Sequence, residues 1–308
     1  MKHSVKIVTL LLLMFFATQL IGLAVTNAYH SHDDNIPFGM SPPKDISPAS
    51  SLVSIVFAIV FAVLLMLLLM RFRIELFLKL WFFFVITIAI GITANALFIG
   101  TSLSMIKINL GFFSTNASSL LALLIALPFA SIKVFNRNLI VHNATELMIY
   151  PGIGAIFIPL LNLWTVVLLL ILISIYDIYA VWHAGFMQKM AKYQIQNLKV
   201  FAGFFIPYLG KKERELVKNI NEKKLKARKI KVNVAILGGG DVVFPIILAG
   251  VVLRQLGFVP ALIVSICATL ALMSLFYISK KGKFYPAMPF ISAGCFIGLG
   301  LVYLLNIF

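Results

Sequence analysis

The chain has 308 residues, of which 61% are hydrophobic and 12% charged, with a formal net charge of +16. Soluble domains carry roughly a quarter of their residues as charges, so this chain lacks the polar material to coat a water-exposed surface of its size. Lipid is its expected solvent, and the positive charge is so distributed along the chain that it argues against a nucleic-acid partner.

A bilayer core is crossed by about 20 apolar residues in a helix. Windows of that size predict nine spans, near 7–26, 51–70, 80–100, 117–132, 146–160, 162–184, 232–253, 257–279 and 286–307. The first has a competing reading as a signal peptide. Lys2 and Lys6 precede its apolar run, and Thr26-Asn27-Ala28 resembles a cleavage site. The run from Ile7 to Val25 is longer than a usual signal core, so a retained span is expected. Pro128 interrupts the fourth window and Pro151-Gly152 the fifth, which makes these two the least regular. Cys267 and Cys295 lie inside apolar runs and read as small buried hydrophobes, not as a disulfide or metal pair.

With the N-terminus inside, 23 of the 26 basic residues fall in the inside segments and only Lys44, Lys107 and Arg254 outside. That asymmetry obeys the positive-inside rule and places the C-terminus outside. The expected fold is an all-α membrane protein of about nine transmembrane helices in a single polytopic domain spanning 1–308. Spans one to five occupy 1–160 and spans six to nine occupy 161–308. The inside loop 185–231 carries thirteen of the basic residues, suited to anionic lipid headgroups rather than to nucleic acid. Within it, the apolar stretch 201–209 is too short to span; it reads as a segment at the membrane interface or as a plug over a nearby site.

The ten acidic residues narrow the function. Seven lie in loops, and Glu146 stands near a predicted span end, where water is close. Asp177 and Asp241 remain, each deep inside an apolar run. An aspartate at a helix centre costs about 2.5–3.5 kcal/mol to insert, which marks it as functional until shown otherwise. Asp177 lies about seven residues, roughly 10 Å, from the inside end of the sixth span, and Asp241 about nine residues, roughly 13 Å, from that of the seventh. The two carboxyls are therefore expected at one level in the cytoplasmic half.

Asp241 follows Gly238, Gly239 and Gly240, which cost about 1 kcal/mol each in a helix relative to alanine. Either they allow close helix packing, or they leave room for substrate and water beside the carboxyl. Tyr176 precedes Asp177 and is either a hydrogen-bonding neighbour or a buried aromatic. At the ninth window, Pro286, Ala287, Met288 and Pro289 resist regular helix, although proline at a helix start is the plainer explanation.

Tyr176-Asp177, Gly238-Gly239-Gly240-Asp241 and Pro286-Ala287-Met288 together resemble the YD, GxGD and PAL motifs of the presenilin and signal peptide peptidase family, with Met288 in place of leucine. The resemblance covers the whole chain, and the inferred orientation is similar to that of presenilin and its microbial homologues. It implies an intramembrane aspartyl endopeptidase in the cell membrane that cuts transmembrane helical segments, with no cofactor and no metal. Asp177 and Asp241 would be the catalytic pair, and the Pro286 segment would hold an extended substrate. Two readings compete: a prepilin or preflagellin peptidase, and a proton-coupled transporter using the aspartates as a relay. Neither explains the Pro286 segment.

Overall fold

The computed structural model describes residues 5–32, 36–38, 40, 47–72, 75–109, 114–136, 138–184, 202–209, 232–279 and 285–306. Most of the basic loop 185–231, and the lysines at 280, 281 and 283, lie outside the described residues. The protein is mostly helical. Its long helices are α1 (Val5–His30), α2 (Pro48–Phe72), α3 (Glu75–Ala96), α5 (Ala117–Phe135), α6 (Leu139–Phe157), α7 (Leu163–Tyr179), α8 (Gly239–Leu256), α9 (Phe258–Ile278) and α10 (Met288–Leu304). A single turn, α4 (Ser102–Met105), leads into a small hairpin of β1 (Lys107–Asn109) and β2 (Ser114–Asn116).

Each predicted window overlaps one long helix. Seven of those helices are long and apolar enough to cross a membrane. α6 is not among them, because His142, Asn143 and Glu146 dilute its first turns; α10 is apolar but short.

One expectation needs correction. The apolar stretch after residue 201 forms a strand, β3 (Gly203–Leu209), and the start of the seventh window is also a strand, β4 (Val232–Gly238), rather than helix. The two pair antiparallel, from Gly203 opposite Gly238 to Leu209 opposite Val232. The fold is therefore mostly helical, with two short hairpins among the described residues.

α1 lies centrally against α6, α8 and α9. It buries Leu11, Phe15 and Leu23, and its Gln19 side chain donates to the Val242 carbonyl at 3.2 Å. Glycines let helices close on one another without a side chain between. A Cβ on Gly294 would sit 2.7 Å from the Cys267 carbonyl oxygen, and one on Gly298 2.9 Å from the Val264 Cα, so α10 rests directly on α9. Gly152 is tighter still: its Cβ would lie 2.0 Å from the Ala89 carbonyl oxygen on α3.

Candidate active site

The end of α7, the start of α8 and the start of α10 converge at one end of the bundle. α7 opens with a reciprocal cap, in which Asn162 Oδ1 accepts from the Thr165 N–H and the Asn162 N–H donates to Thr165 Oγ1. It carries Asp177 in its last turn and then widens into one π-helical turn, Ala180–Ala184. Such turns recur at functional sites because they re-aim side chains.

Asp241 arrives differently from the sequence expectation. It is the third residue of α8, immediately after β4, and not nine residues inside a helix. The two carboxyls still come to the same end of the bundle, because α7 ends where α8 begins. Their charges lie within interaction range of one another. Asp177 is buried, whereas Asp241 is partly exposed.

The three glycines differ in surroundings. A Cβ on Gly238 would fall 3.1 Å from Asp241 Oδ2, and one on Gly239 would meet the Tyr150 ring at 2.9 Å. Gly240 is exposed, and a Cβ there would make only ordinary contact with Phe244 at 3.6 Å. Gly238 and Gly239 therefore allow close approach, while Gly240 is exposed beside the aspartate among the described residues. Pro245, four residues on, has no N–H to offer the Asp241 carbonyl, so the helix is loosened at this point.

The third motif divides in two. Pro286 is buried ahead of the helix, Ala287 is its N-cap, and Met288 and Pro289 are in its first turn. Pro289 is thus the ordinary proline of a helix start, and the expectation that both prolines keep the segment non-helical holds only for Pro286. The Met288 N–H donates to Asp177 Oδ2 at 3.0 Å. The contact to the aspartate is made by the backbone of the motif, while the Met288 side chain packs in the core. Met288→Leu conserves volume and is expected to cleave within about twofold of the parent rate in a peptide assay.

One pairing was not foreseen. The Ser174 hydroxyl donates to the Leu170 carbonyl at 2.7 Å and lies 2.9 Å from Ser292 Oγ, tying α7 to α10 one turn from Asp177. Serines inside apolar helices were its only signal. Tyr176, beside Asp177, is half-buried.

Two carboxyls at helix ends thus stand within electrostatic range of each other, one accepting a backbone N–H, in a bundle of apolar helices. The family described as signal-peptide peptidase, presenilin aspartyl protease matches residues 10–307, and the chain belongs to that family. Two solved structures of a presenilin family intramembrane aspartate protease are similar to it. The one in space group C222 has a TM-score of 0.59 and 17% identity over 97% of this chain and 99% of that one. The one in P2 has a TM-score of 0.59 and 19% identity over 96% of each. No curated protein matches. The prepilin-peptidase and transporter readings find no support.

Proposed function

We propose that Asp177 and Asp241 are the catalytic pair of this multi-pass membrane protease and that they hydrolyse peptide bonds within transmembrane segments of other proteins. The observation that carries this assignment is the Met288 N–H on Asp177 with Asp241 within electrostatic reach, which joins all three motifs in one place.

Two carboxyls within electrostatic reach of each other cannot both ionise cheaply, so in this reading they share one proton and titrate as a pair. The ionised member takes a proton from water as its oxygen attacks the scissile carbonyl carbon. The protonated member gives its proton to the carbonyl oxygen, forming a gem-diol. Transfer of a proton to the amide nitrogen then breaks the C–N bond, releasing an acid and an amine and leaving one proton on the pair. The reaction consumes only water and calls for no metal.

A peptide bond in a helix is shielded, so the substrate must be extended at the site. β4 runs into Asp241 and offers backbone groups along its outer edge, to which an unwound segment adds as a further strand. Pro286, Ala287 and Met288 shape the opposite side of the site, and Gly240 leaves space for the bond being cut. In this reading Gly238, Gly239 and Tyr176 set the fit around the carboxyls.

The nine long helices among the described residues are taken as nine spans of a single domain in the cell membrane, with the N-terminus and loop 185–231 in the cytoplasm and the C-terminus outside. The basic loop then faces anionic headgroups.

Incubation of the purified protein with a panel of transmembrane peptides, followed by mass spectrometry of the products, tests the activity. Cleavage should trace a bell in pH, lost at low pH as the base is protonated and at high pH as the shared proton leaves. A hydroxyl-bearing transition-state mimic should inhibit. Activity lost to a chelator and restored by zinc would overturn the aspartyl assignment.

A further inference from the structure

By sequence alone Glu146 stands near a predicted span end, where water is close, and Lys133 is one of the 23 inside basic residues. The structure buries both. Glu146 is 0% and Lys133 4% exposed, and Lys133 Nζ pairs with Glu146 Oε1. Burying two charges is costly, and a well-packed apolar pair often does as well or better for stability alone. The surroundings of this pair suggest what it supports. His142, Asn143, Glu146 and Tyr150 share one face of α6, at i, i+1, i+4 and i+8, and that face lies along β3.

The contacts are made almost entirely to β3 backbone. The Phe205 N–H donates to Asn143 Oδ1 at 3.0 Å, and Asn143 Nδ2 donates to the Phe205 carbonyl at 3.0 Å. These are the two bonds a residue of a neighbouring strand would make. The Gly203 N–H donates to Glu146 Oε1 at 3.1 Å, and the Gly203 carbonyl lies 2.9 Å from His142 Nε2. Between them, the Phe204 ring packs edge-on to Tyr150 with centroids 5.7 Å apart.

Successive residues of a strand turn their backbone groups to opposite sides. Gly203 and Phe205 face α6, so Phe204 and Ile206 face β4, opposite Leu237 and Ala235. The groups on the outer edge of β4 then belong to Val234, Ile236 and Gly238, the last three residues before Asp241 on that side. Pro207 fits the same alternation, since its missing N–H falls on the side that does not bond β4.

We propose that His142, Asn143 and Glu146 are positioning residues that act as a surrogate strand. They close the outer edge of β3 and lock the β3–β4 hairpin in one register. An extended substrate is thereby directed to the edge of β4 and presents one bond to Asp241. Lys133 neutralises Glu146 so that the clamp can be buried. The proposal rests on the protease reading above and adds to it the choice of bond.

The test uses the full-length protein in liposomes and one transmembrane peptide, with kcat, KM, product termini by mass spectrometry, and binding of a hydroxyl-bearing transition-state mimic as readouts. Asn143→Leu deletes both bonds to Phe205 at similar volume. It is expected to lower kcat/KM about tenfold and to spread cleavage onto neighbouring bonds, while the mimic still binds. Asn143→Asp keeps the acceptor and loses the donor, and should fall between parent and Asn143→Leu. Phe205→Pro removes the strand's donor on the α6 side only and provides the second variant if Asn143→Leu does not fold; it too should spread the products. If the folded variants cut the parent's bonds in the parent's ratio, with rates that follow only the amount of folded protein, the clamp is structural and the proposal fails. A parent protein that cleaves no peptide would instead sink the protease reading itself.

Discussion

An Asp241→Asn protein is expected to insert, fold and cleave nothing. Asparagine keeps the volume and the hydrogen-bonding oxygen of the residue, but it cannot take the proton that activates water. Asp177→Asn should behave alike, since its amide oxygen can still accept the Met288 N–H while the shareable proton is lost. Residues that act as a unit lose nearly all activity when either is removed, so each variant should fall by about 10³-fold or more. Thermal unfolding should stay close to the parent or rise, because a neutral amide is easier to bury than a carboxylate. Rates on one transmembrane peptide, set beside melting curves, check both parts. A folded Asp241→Asn protein cutting at the parent rate would end the assignment.

The largest loss of stability is expected from a residue that touches no substrate. Gly152→Val would place a Cβ 2.0 Å from the Ala89 carbonyl oxygen and 3.0 Å from Thr93 Oγ1. The obstacle is backbone, which cannot swing aside as a side-chain tip can. Thr93 also donates to the Met148 carbonyl at 2.6 Å, so any separation of α3 from α6 breaks a partly buried hydrogen bond. Overpacking typically costs about 1–3 kcal/mol, and the lost bond adds about 1 kcal/mol. Unfolding in detergent should shift by about that sum. Gly240→Ala is the control, since its Cβ would have ordinary space. Equal melting of the Gly152→Val and parent proteins would show that α3 and α6 do not pack as described.

Most helices were legible because lipid makes their signal simple. α9 falls within a residue of its predicted window at both ends. The chemistry was legible too, because an acid in an apolar run is conspicuous, and Asp177, Asp241 and Met288 are brought together. The β3–β4 hairpin was not seen, because a short apolar run fits strand or helix equally well. Signals did exist: Val232 and Val234 alternate with other residues ahead of three glycines, and Gly203–Leu209 holds aromatic and branched residues, all features of strands. Val232–Gly238 is continuous with the apolar run of the next helix and so looks like part of a span, and Gly203–Leu209 is too short to cross.

The α6 clamp was missed for the opposite reason. His142, Asn143 and Glu146 look like loop residues when hydropathy is the measure, so the fifth window began at 146 whereas the helix begins at Leu139. Their role depends on partners some 60 residues away in the chain, which no local pattern encodes.

The ion pair between α5 and α6 also bears on how the chain is made. A segment with an unpaired glutamate and a histidine in its first turns is a poor candidate to leave the insertion machinery alone. Its neutralising lysine lies on the preceding helix, only a few residues before the turn that joins them. The two segments are therefore expected to partition into lipid as a hairpin, with α5 waiting for α6. Lys133→Leu should then show its first defect during synthesis, as α6 left on the wrong side or degraded, before any finished enzyme exists to assay.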